Sequence, residues 1–322
     1  MGGQTFLEEG RLPSVLTEGC SVALMNRSIV TALGIIPEGL LWRFAKRYVA
    51  GATLAEAVRT VRGLNARRLL ATLDILGEHV SGPAEAKADA AAYGEVLRII
   101  QQEGLSSNIS VKPTHMGLKL DPDLCLGLLR DLAQTAQRQG NFLRLDMEDS
   151  SCTDETLRIY RTLAKEAPGS VGIVLQASLK RSQEDARRLA EERANVRLCK
   201  GIYREPVTIA FHDREAIRRN FVALLETLIQ AGSYVGVATH DPWIIQEARG
   251  LIRRLGVPRE RYEFQMLLGV RGDLRENLST AGERLRIYVP FGGRWRAYCL
   301  RRFQENPQIL RHVIMALFRP QS

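Results

Sequence analysis

The feature that most restricts this chain is a regular alternation. From residue 67 onward, eight short apolar runs are separated by amphipathic stretches of helical period. The runs are LLATLDILG (69–77), NISVKP (108–113), FLRLDME (142–148), VGIVLQA (171–177), VRLCKG (196–201), YVGVATH (234–240), YEFQMLLG (262–269) and RLRIYVP (284–290). The helical stretches cover 84–102, 121–137, 154–165, 182–193, 214–231, 242–255 and 273–282. Near-continuous apolar strands joined by single helices call for a parallel sheet, because only a crossover returns the chain in the same direction. Eight such units predict an α/β fold of the closed (β/α)8 (TIM) barrel type. A doubly wound sheet would more usually have about five or six strands. It would also carry a GxGxxG turn, and none follows any run.

Upstream, residues 13 to about 66 read as helical. Pro37 opens PEGLLWRFAKRYVAG and Gly51 closes it, and Thr53 with Glu56 three residues on forms a capping box for the next helix. The expected organisation is an N-terminal helical segment, 1–66, packed on a barrel spanning 67–322. Leu40, Leu41, Phe44 and Tyr48 fall at helical spacing beside Arg43, Lys46 and Arg47. Such a basic amphipathic helix either packs on its own domain, the commoner outcome, or lies on a membrane surface.

Composition narrows the setting. With 45% hydrophobic and 25% charged residues, the chain has the make-up of a soluble globular protein. No apolar run approaches the ~20 residues of a spanning helix. The start, MGGQTFLEEGRLPS, lacks a basic-then-apolar signal pattern, so a cytoplasmic location is expected. The five cysteines are scattered and without a CxxC pair, which argues for reduced thiols and against a zinc site or disulfide framework. A net charge of +9 suits an anionic ligand, an anionic membrane or nucleic acid, and equally a basic surface with no specific partner.

In a barrel of this kind the active site lies at the C-terminal ends of the strands. Those ends carry Lys112, Asp146, Glu148, Gln176, Lys200, His240, Gln265 and Tyr288. Any one of them is explained as a satisfied polar group at a loop edge. The whole set is not, because a purely structural barrel would not end its strands so regularly in polar residues.

The segment YVPFGGRWRAYCLRRFQEN (288–306) adds a second signal. It runs from strand through Pro290 and the Gly292–Gly293 pair into a helix, on which Tyr298, Arg301, Arg302 and Glu305 share one face. Glu305 neutralises one arginine and leaves the other free to take a planar anion in bidentate fashion. The plainer reading is a solvated basic face with one ion pair, worth ~0.3–0.5 kcal/mol. The glycine linker permits the helix to lie across the barrel mouth, where its cations would meet Asp146.

The chain resembles the flavin-dependent proline dehydrogenases of the monofunctional, single-domain bacterial type. The resemblance runs from about Pro37 and rests on RYVAG (47–51), TLDILGE (72–78), SVKPTHMGLKLD (110–121), LRLDMED (143–149), RLCKGIYREP (197–206), ATHD (238–241), YEFQMLLGVRGDL (262–274) and the Tyr-x-x-Arg-Arg-x-x-Glu pattern at 298–305. It implies a distorted (β/α)8 barrel that binds FAD without a Rossmann unit, with the final helix over its mouth. It also implies oxidation of L-proline to pyrroline-5-carboxylate by hydride transfer to FAD, electrons passing to a membrane quinone. Arg301, Arg302 and Lys112 match residues that hold the proline carboxylate. Glu305 and Asp146 match acids that pair with the arginines. Tyr288, Tyr298 and Leu267 match groups that wall the substrate ring. Gln176 and Arg197 match contacts to the isoalloxazine, and Cys199, Lys200, Gly201, Thr239 and His240 match further FAD-contacting positions. The sequence departs from the family at Pro113, where leucine is common, and at Cys199 and Ile202, where valine and alanine are usual.

The resemblance further implies peripheral contact with the inner face of the membrane, and a pyrroline-5-carboxylate dehydrogenase as a candidate partner. Nucleic acid is not an expected partner, and no metal ligand set is. Two rival readings remain at this level. A flavin barrel of the methylenetetrahydrofolate reductase type shares the architecture but has no need of a double arginine over the mouth. A basic nucleic-acid-binding or membrane-surface protein would be colourless, and its binding would fall steeply with salt.

Overall fold

The structure, a computed structural model, describes residues 38–77, 79–296 and 298–299. The chain divides into two compact units. One is Lys46–Trp295; the other combines Met1–Ala45 with Arg296–Ser322. In the second unit the described part comprises α1 (Glu38–Ala45), with Leu41 and Ala45 buried and Arg43 exposed, and residues 296 and 298–299. The helical reading of 13–37 and the calls on Arg301, Arg302 and Glu305 fall outside the described residues.

The unit Lys46–Trp295 is an eight-stranded closed barrel. Its strands are β1 (Leu70–Ile75), β2 (Ser107–Val111), β3 (Leu143–Leu145), β4 (Val171–Gln176), β5 (Asn195–Cys199), β6 (Tyr234–Ala238), β7 (Tyr262–Leu267) and β8 (Leu285–Phe291). All pair in parallel and in chain order, and β8 closes on β1 through the register Leu70↔Arg286 to Ile75↔Phe291. Each expected run thus holds one strand. The helices are α2 (Leu54–Ala66), α3 (Pro83–Gln102), α4 (Pro122–Arg138), α5 (Thr153–Glu166), α6 (Ser182–Glu191), α7 (Arg214–Gln230), α8 (Pro242–Arg254) and α9 (Gly272–Thr280).

Local chemistry sets the helix starts. The Thr53 side chain accepts from the Glu56 amide while the Glu56 carboxylate accepts from the Thr53 amide, the reciprocal cap expected from the sequence. Asp121, Asp213 and Asp241 cap α4, α7 and α8. Before α2 the helix ends at Ala45, short of the expected stop at Gly51. The reason is a competing partner. The Ala50 amide donates to Pro290 O at 2.9 Å and Gly51 O accepts from the Gly292 amide at 3.0 Å, so this backbone lies along the end of β8.

Most of the strands are apolar on one face, while β4 carries Val174 on the other face as well. Leu73, Ile109, Val111, Leu145, Ile173, Leu175, Leu198, Val237, Phe264, Met266, Ile287 and Val289 belong to one buried core with helix residues such as Tyr93, Leu129, Leu163, Phe221 and Ile244. The alternate positions are polar and also buried: Thr72, Asp74, Asn108, Ser110, Arg144, Asp146, Arg197, Glu263 and Gln265. Side chains alternate across a strand, so these line the barrel interior. Bonds between strands that are not neighbours require the same placement, since Arg197 on β5 reaches Ser110 on β2 and Gln265 on β7. The expectation of near-continuous apolar strands holds for β4, and for the outer face of most of the others. Glycine makes the room inside. A Cβ at Gly172 would run into the Arg144 guanidinium and the Asn195 carbonyl, and one at Gly236 into the Gln265 amide.

Candidate active site

The polar interior is most concentrated at the C-terminal ends of the strands. Asp146, just past β3, sits at its centre. Its Oδ1 accepts from Arg197 Nη1 at 2.7 Å and from Ser110 Oγ at 2.7 Å, and its Oδ2 accepts from the Tyr288 hydroxyl at 2.9 Å. The Arg197 guanidinium lies 5.1 Å from the Tyr288 ring centroid, a cation–π distance. Arg197 Nε donates to Gln265 Oε1 at 2.6 Å, and Gln265 Nε2 donates onward to Glu263 Oε1 at 2.7 Å. Glu263 also accepts from Arg286 Nε at 2.6 Å. Burial alone would raise the Glu263 pKa, but Arg286 and the surrounding donors outweigh it and hold the carboxyl below its ordinary range.

Lys112, at the end of β2, donates to Asp74 Oδ1 at 2.8 Å. Burial works against its charge, and the nearby Asp74 and Asp146 carboxylates overcome that and hold the ammonium above the ordinary lysine range. Asp74 is buried on β1, and the Tyr93 hydroxyl donates to it from α3 at 3.3 Å. Gln176 donates through Nε2 to Glu148 O at 2.7 Å. The Glu148 carboxylate in turn accepts from the Thr114 amide at 2.9 Å and hydroxyl at 2.6 Å. Its pKa is raised, chiefly by burial.

On the opposite arc, His240 Nε2 accepts from the Leu267 amide at 2.9 Å, which leaves the proton of the neutral ring on Nδ1. Gly201 has φ +97°, a left-handed conformation, and a Cβ there would collide with the Ser178 hydroxyl. The Cys199 and Lys200 carbonyls accept from the Ala177 and Ser178 amides, so this turn is tied to the end of β4. The Cys199 thiol is pushed up to about 11 by burial and stays protonated at neutral pH. Thr239 is buried, and its hydroxyl accepts from the Asp241 amide at 3.1 Å.

Asp241 gathers three cations: Arg218 in a two-toothed pair at 2.8 and 2.9 Å, Lys200 at 3.2 Å and Arg214 at 3.8 Å. Burial opposes its charge, but Arg218 and Lys200 prevail and hold the carboxyl at about 2. The folded-state pKa is depressed, so its contribution is fully present above the unfolded value near ~3.9 and is lost as pH falls through about 2. Asp241→Asn is therefore expected to destabilise by on the order of 2 kcal/mol from pH 8 to 5. That gap should close between about pH 4 and 2, as read by urea unfolding at each pH. A gap that stays constant through the acid range would show that the cations contribute nothing through this carboxylate.

The structure therefore brings Lys112, Asp146, Arg197, Gln265 and Tyr288 into one interior network, with Gln176, Lys200, Gly201, Thr239, His240 and Leu267 at neighbouring strand ends. Tyr298 lies in the other unit, and Arg301, Arg302 and Glu305 lie outside the described residues. The sequence reading missed Asp74, Ser110, Arg144, Glu263 and Arg286 as members of the interior. Their signal was parity: Ser110, Arg144, Glu263 and Arg286 each stand two residues before a polar strand-end group on their own strand, and Asp74 stands two residues from Thr72. Of the charges at inward strand positions and strand ends, Asp74 pairs with Lys112, Asp146 with Arg197 and Glu263 with Arg286, while Glu148 is held by Thr114 and Arg144 by the Ile173 and Asn195 carbonyls.

Comparison with known proteins gives the family and the fold. The family profile described as Proline dehydrogenase matches residues 57–313. Proline dehydrogenase 1 of Bacillus subtilis is 37% identical over 275 residues, covering 85% of this chain and 91% of that one. Proline dehydrogenase of Deinococcus radiodurans is 35% identical over 283 residues, covering 87% and 91%. Proline utilization A from Bdellovibrio bacteriovorus, solved after inactivation by N-propargylglycine, superposes with a TM-score of 0.77 at 24% identity. The overlap covers 84% of this chain but 34% of that longer one, and at this identity it speaks for the fold.

Proposed function

The chain belongs to the proline dehydrogenase family, and on that footing we propose that it oxidises L-proline to pyrroline-5-carboxylate with FAD as its bound cofactor and a quinone as the final electron acceptor. The observation that carries this reading is the network of Lys112, Asp146, Arg197 and Tyr288, which presents a buried ammonium, carboxylate, guanidinium and phenol at one end of the barrel.

The residues suit a flavin. Gly201, held at φ +97° and packed against Ser178 and Gln176, fixes the turn that follows β5, and in this reading the backbone of that turn lies against the cofactor. Lys200 and Arg214, both partly exposed beside Asp241, are matched to an anionic tail such as a pyrophosphate. Gln176 and Arg197 supply polar contacts for the heterocycle. When bound, FAD supplies the acceptor for a hydride, so the protein needs to supply orientation rather than a nucleophile.

The chain's own groups then have distinct tasks. Lys112 keeps two donors beyond the one given to Asp74, and these can meet the substrate carboxylate. Lys112, Arg197 and Arg286 each already hold a carboxylate, so an incoming carboxylate needs further positive charge. Arg301 and Arg302, with Glu305 as their counter-ion, supply it in this reading, and Tyr298, Tyr288 and Leu267 wall the ring. Asp146 holds Arg197 and Tyr288 in fixed orientation, so neither has to reorganise as charge moves in the reaction. The proposed setting is the cytoplasm, with peripheral contact at the inner face of the membrane where a quinone is met. A pyrroline-5-carboxylate dehydrogenase is the partner that would take the product. Among the described residues no helix is long and apolar enough to cross a membrane.

The purified protein is expected to be yellow, to bleach when L-proline is added without oxygen, and to regain colour with a short-chain quinone. Anionic vesicles should carry it down at low salt. A folded, colourless protein that stays inactive after FAD is supplied would sink the cofactor. Yellow protein that proline does not bleach would sink the substrate, and failure to sediment would remove the membrane contact alone.

A further inference from the structure

We propose that Asp74 is a positioning residue for the substrate, fixing the Lys112 ammonium so that its remaining donors face the substrate carboxylate. The inference rests on the reading of Lys112 as a carboxylate ligand and goes one residue further back. Asp74 stands on the inward face of β1 and is 1% exposed. A charge so deeply buried costs free energy unless it is paired, and an apolar residue would fill the position more cheaply. What it holds therefore needs explaining.

It holds Lys112, at 2.8 Å. A lysine is a point charge on a flexible four-carbon stem and does not orient itself. One hydrogen bond to a fixed acceptor removes most of that freedom. It also sets the directions of the other two N–H bonds, away from β1. Asp74 is itself fixed from behind. The Tyr93 hydroxyl accepts from the Ile75 amide at 3.1 Å and donates to Asp74 Oδ1 at 3.3 Å. Tyr93 is fully buried on α3, with its ring edge-on to His115 at 6.1 Å. The chain of support thus runs from the outer helix through Tyr93 and Asp74 to Lys112. Burial raises the Asp74 pKa, and the attraction of Lys112 opposes that rise. Each partner of the pair thus favours the charged form of the other.

The alternative is that Asp74 only stabilises the barrel. A thermodynamic cycle separates the two. Asp74→Asn, Lys112→Met and the double variant are compared as FAD-loaded enzymes for kcat, KM for L-proline, and flavin content. Lys112→Met should raise KM. Asp74→Asn should raise KM by about ten- to a hundredfold, the cost of a misdirected contact. Its kcat and flavin content should stay near those of the parent. The double variant should show no more than the Lys112→Met effect, because Asp74 then has nothing left to orient. Asp74→Glu keeps the charge but moves it by one methylene, and should raise KM with the fold intact even if Asp74→Asn does not fold.

An unchanged KM in Asp74→Glu and Asp74→Asn overturns the proposal, as do effects that multiply in the double variant. Loss of KM, kcat and flavin together assigns Asp74 to the barrel's stability and overturns it as well. If Lys112→Met itself leaves KM at the parent value, the underlying reading of Lys112 has failed and the inference falls with it.

Discussion

Arg302→Ala is expected to lower kcat/KM for L-proline at least tens-fold while flavin content stays at that of the parent. The argument comes from charge. Lys112, Arg197 and Arg286 are each already paired with a carboxylate, so an incoming carboxylate calls for further positive charge. The Tyr-x-x-Arg-Arg-x-x-Glu pattern at 298–305 supplies two more guanidiniums and one carboxylate. On the helical reading of the sequence, adjacent residues diverge by about 100°, so Arg301 and Arg302 are not expected to make the same contact. Glu305 stands four residues from Arg301 and three from Arg302 and can satisfy one of them. The other is left for a bidentate carboxylate. Truncating one partner of a desolvated charge pair costs roughly 2–5 kcal/mol, and about 1.4 kcal/mol is a factor of ten. Arg302→Lys should recover only part, because a point charge cannot form the planar fork. The measurement is kcat/KM and flavin occupancy on the same samples. Full activity in Arg302→Ala, or joint loss of flavin and proline binding, would show that this segment does not anchor the substrate.

The barrel was legible because its signal is local. Apolar runs and helical periods can be read in windows of ten residues, and each of β1 to β8 matches the run that announced it to within one residue at the ends where it extends beyond it. So was the Thr53–Glu56 cap, whose two partners are three residues apart. The polar interior was only half legible. Lys112, Asp146 and Tyr288 were visible because they end strands. Asp74 was absorbed into the run LLATLDILG, and Glu263 and Arg286 into YEFQMLLG and RLRIYVP. Nothing near them in the chain explains a buried charge. Their partners come from other strands: Arg197 meets Ser110 across 87 residues, and Tyr288 meets Asp146 across 142. A charge inside an apolar run looks like noise until closure of the barrel brings its counter-ion beside it. Alternation was the available clue, since Thr72 and Asp74, or Glu263 and Gln265, share a parity that the neighbouring apolar residues do not.

That network also predicts the largest loss of stability. Arg197→Met is expected to lower Tm by about 6–20 °C and to abolish turnover. The guanidinium is buried and donates to Asp146, Ser110 and Gln265. Its removal leaves the Asp146 carboxylate with two neutral donors, Ser110 and Tyr288, and leaves Gln265 Oε1 without its partner. Breaking a buried ion pair on one side costs roughly 3–5 kcal/mol, and about 2–4 °C per kcal/mol is the exchange rate for a domain of this size. Removing both charges has a different sign. In Arg197→Met with Asp146→Leu no unpaired charge remains, so much of the lost Tm should return. Turnover should not return, because Tyr288 then loses its acceptor and the cation of the site is still missing. A surface pair gives the control: Arg158 and Glu155 meet at 2.7 Å on α5 but are each 44% exposed. Arg158→Met should cost less than about 1 kcal/mol. Melting curves of the four proteins decide the matter. If Arg197→Met melts with the parent, or if the double variant melts below it, the Arg197–Asp146 pair is not what holds this end of the barrel in register.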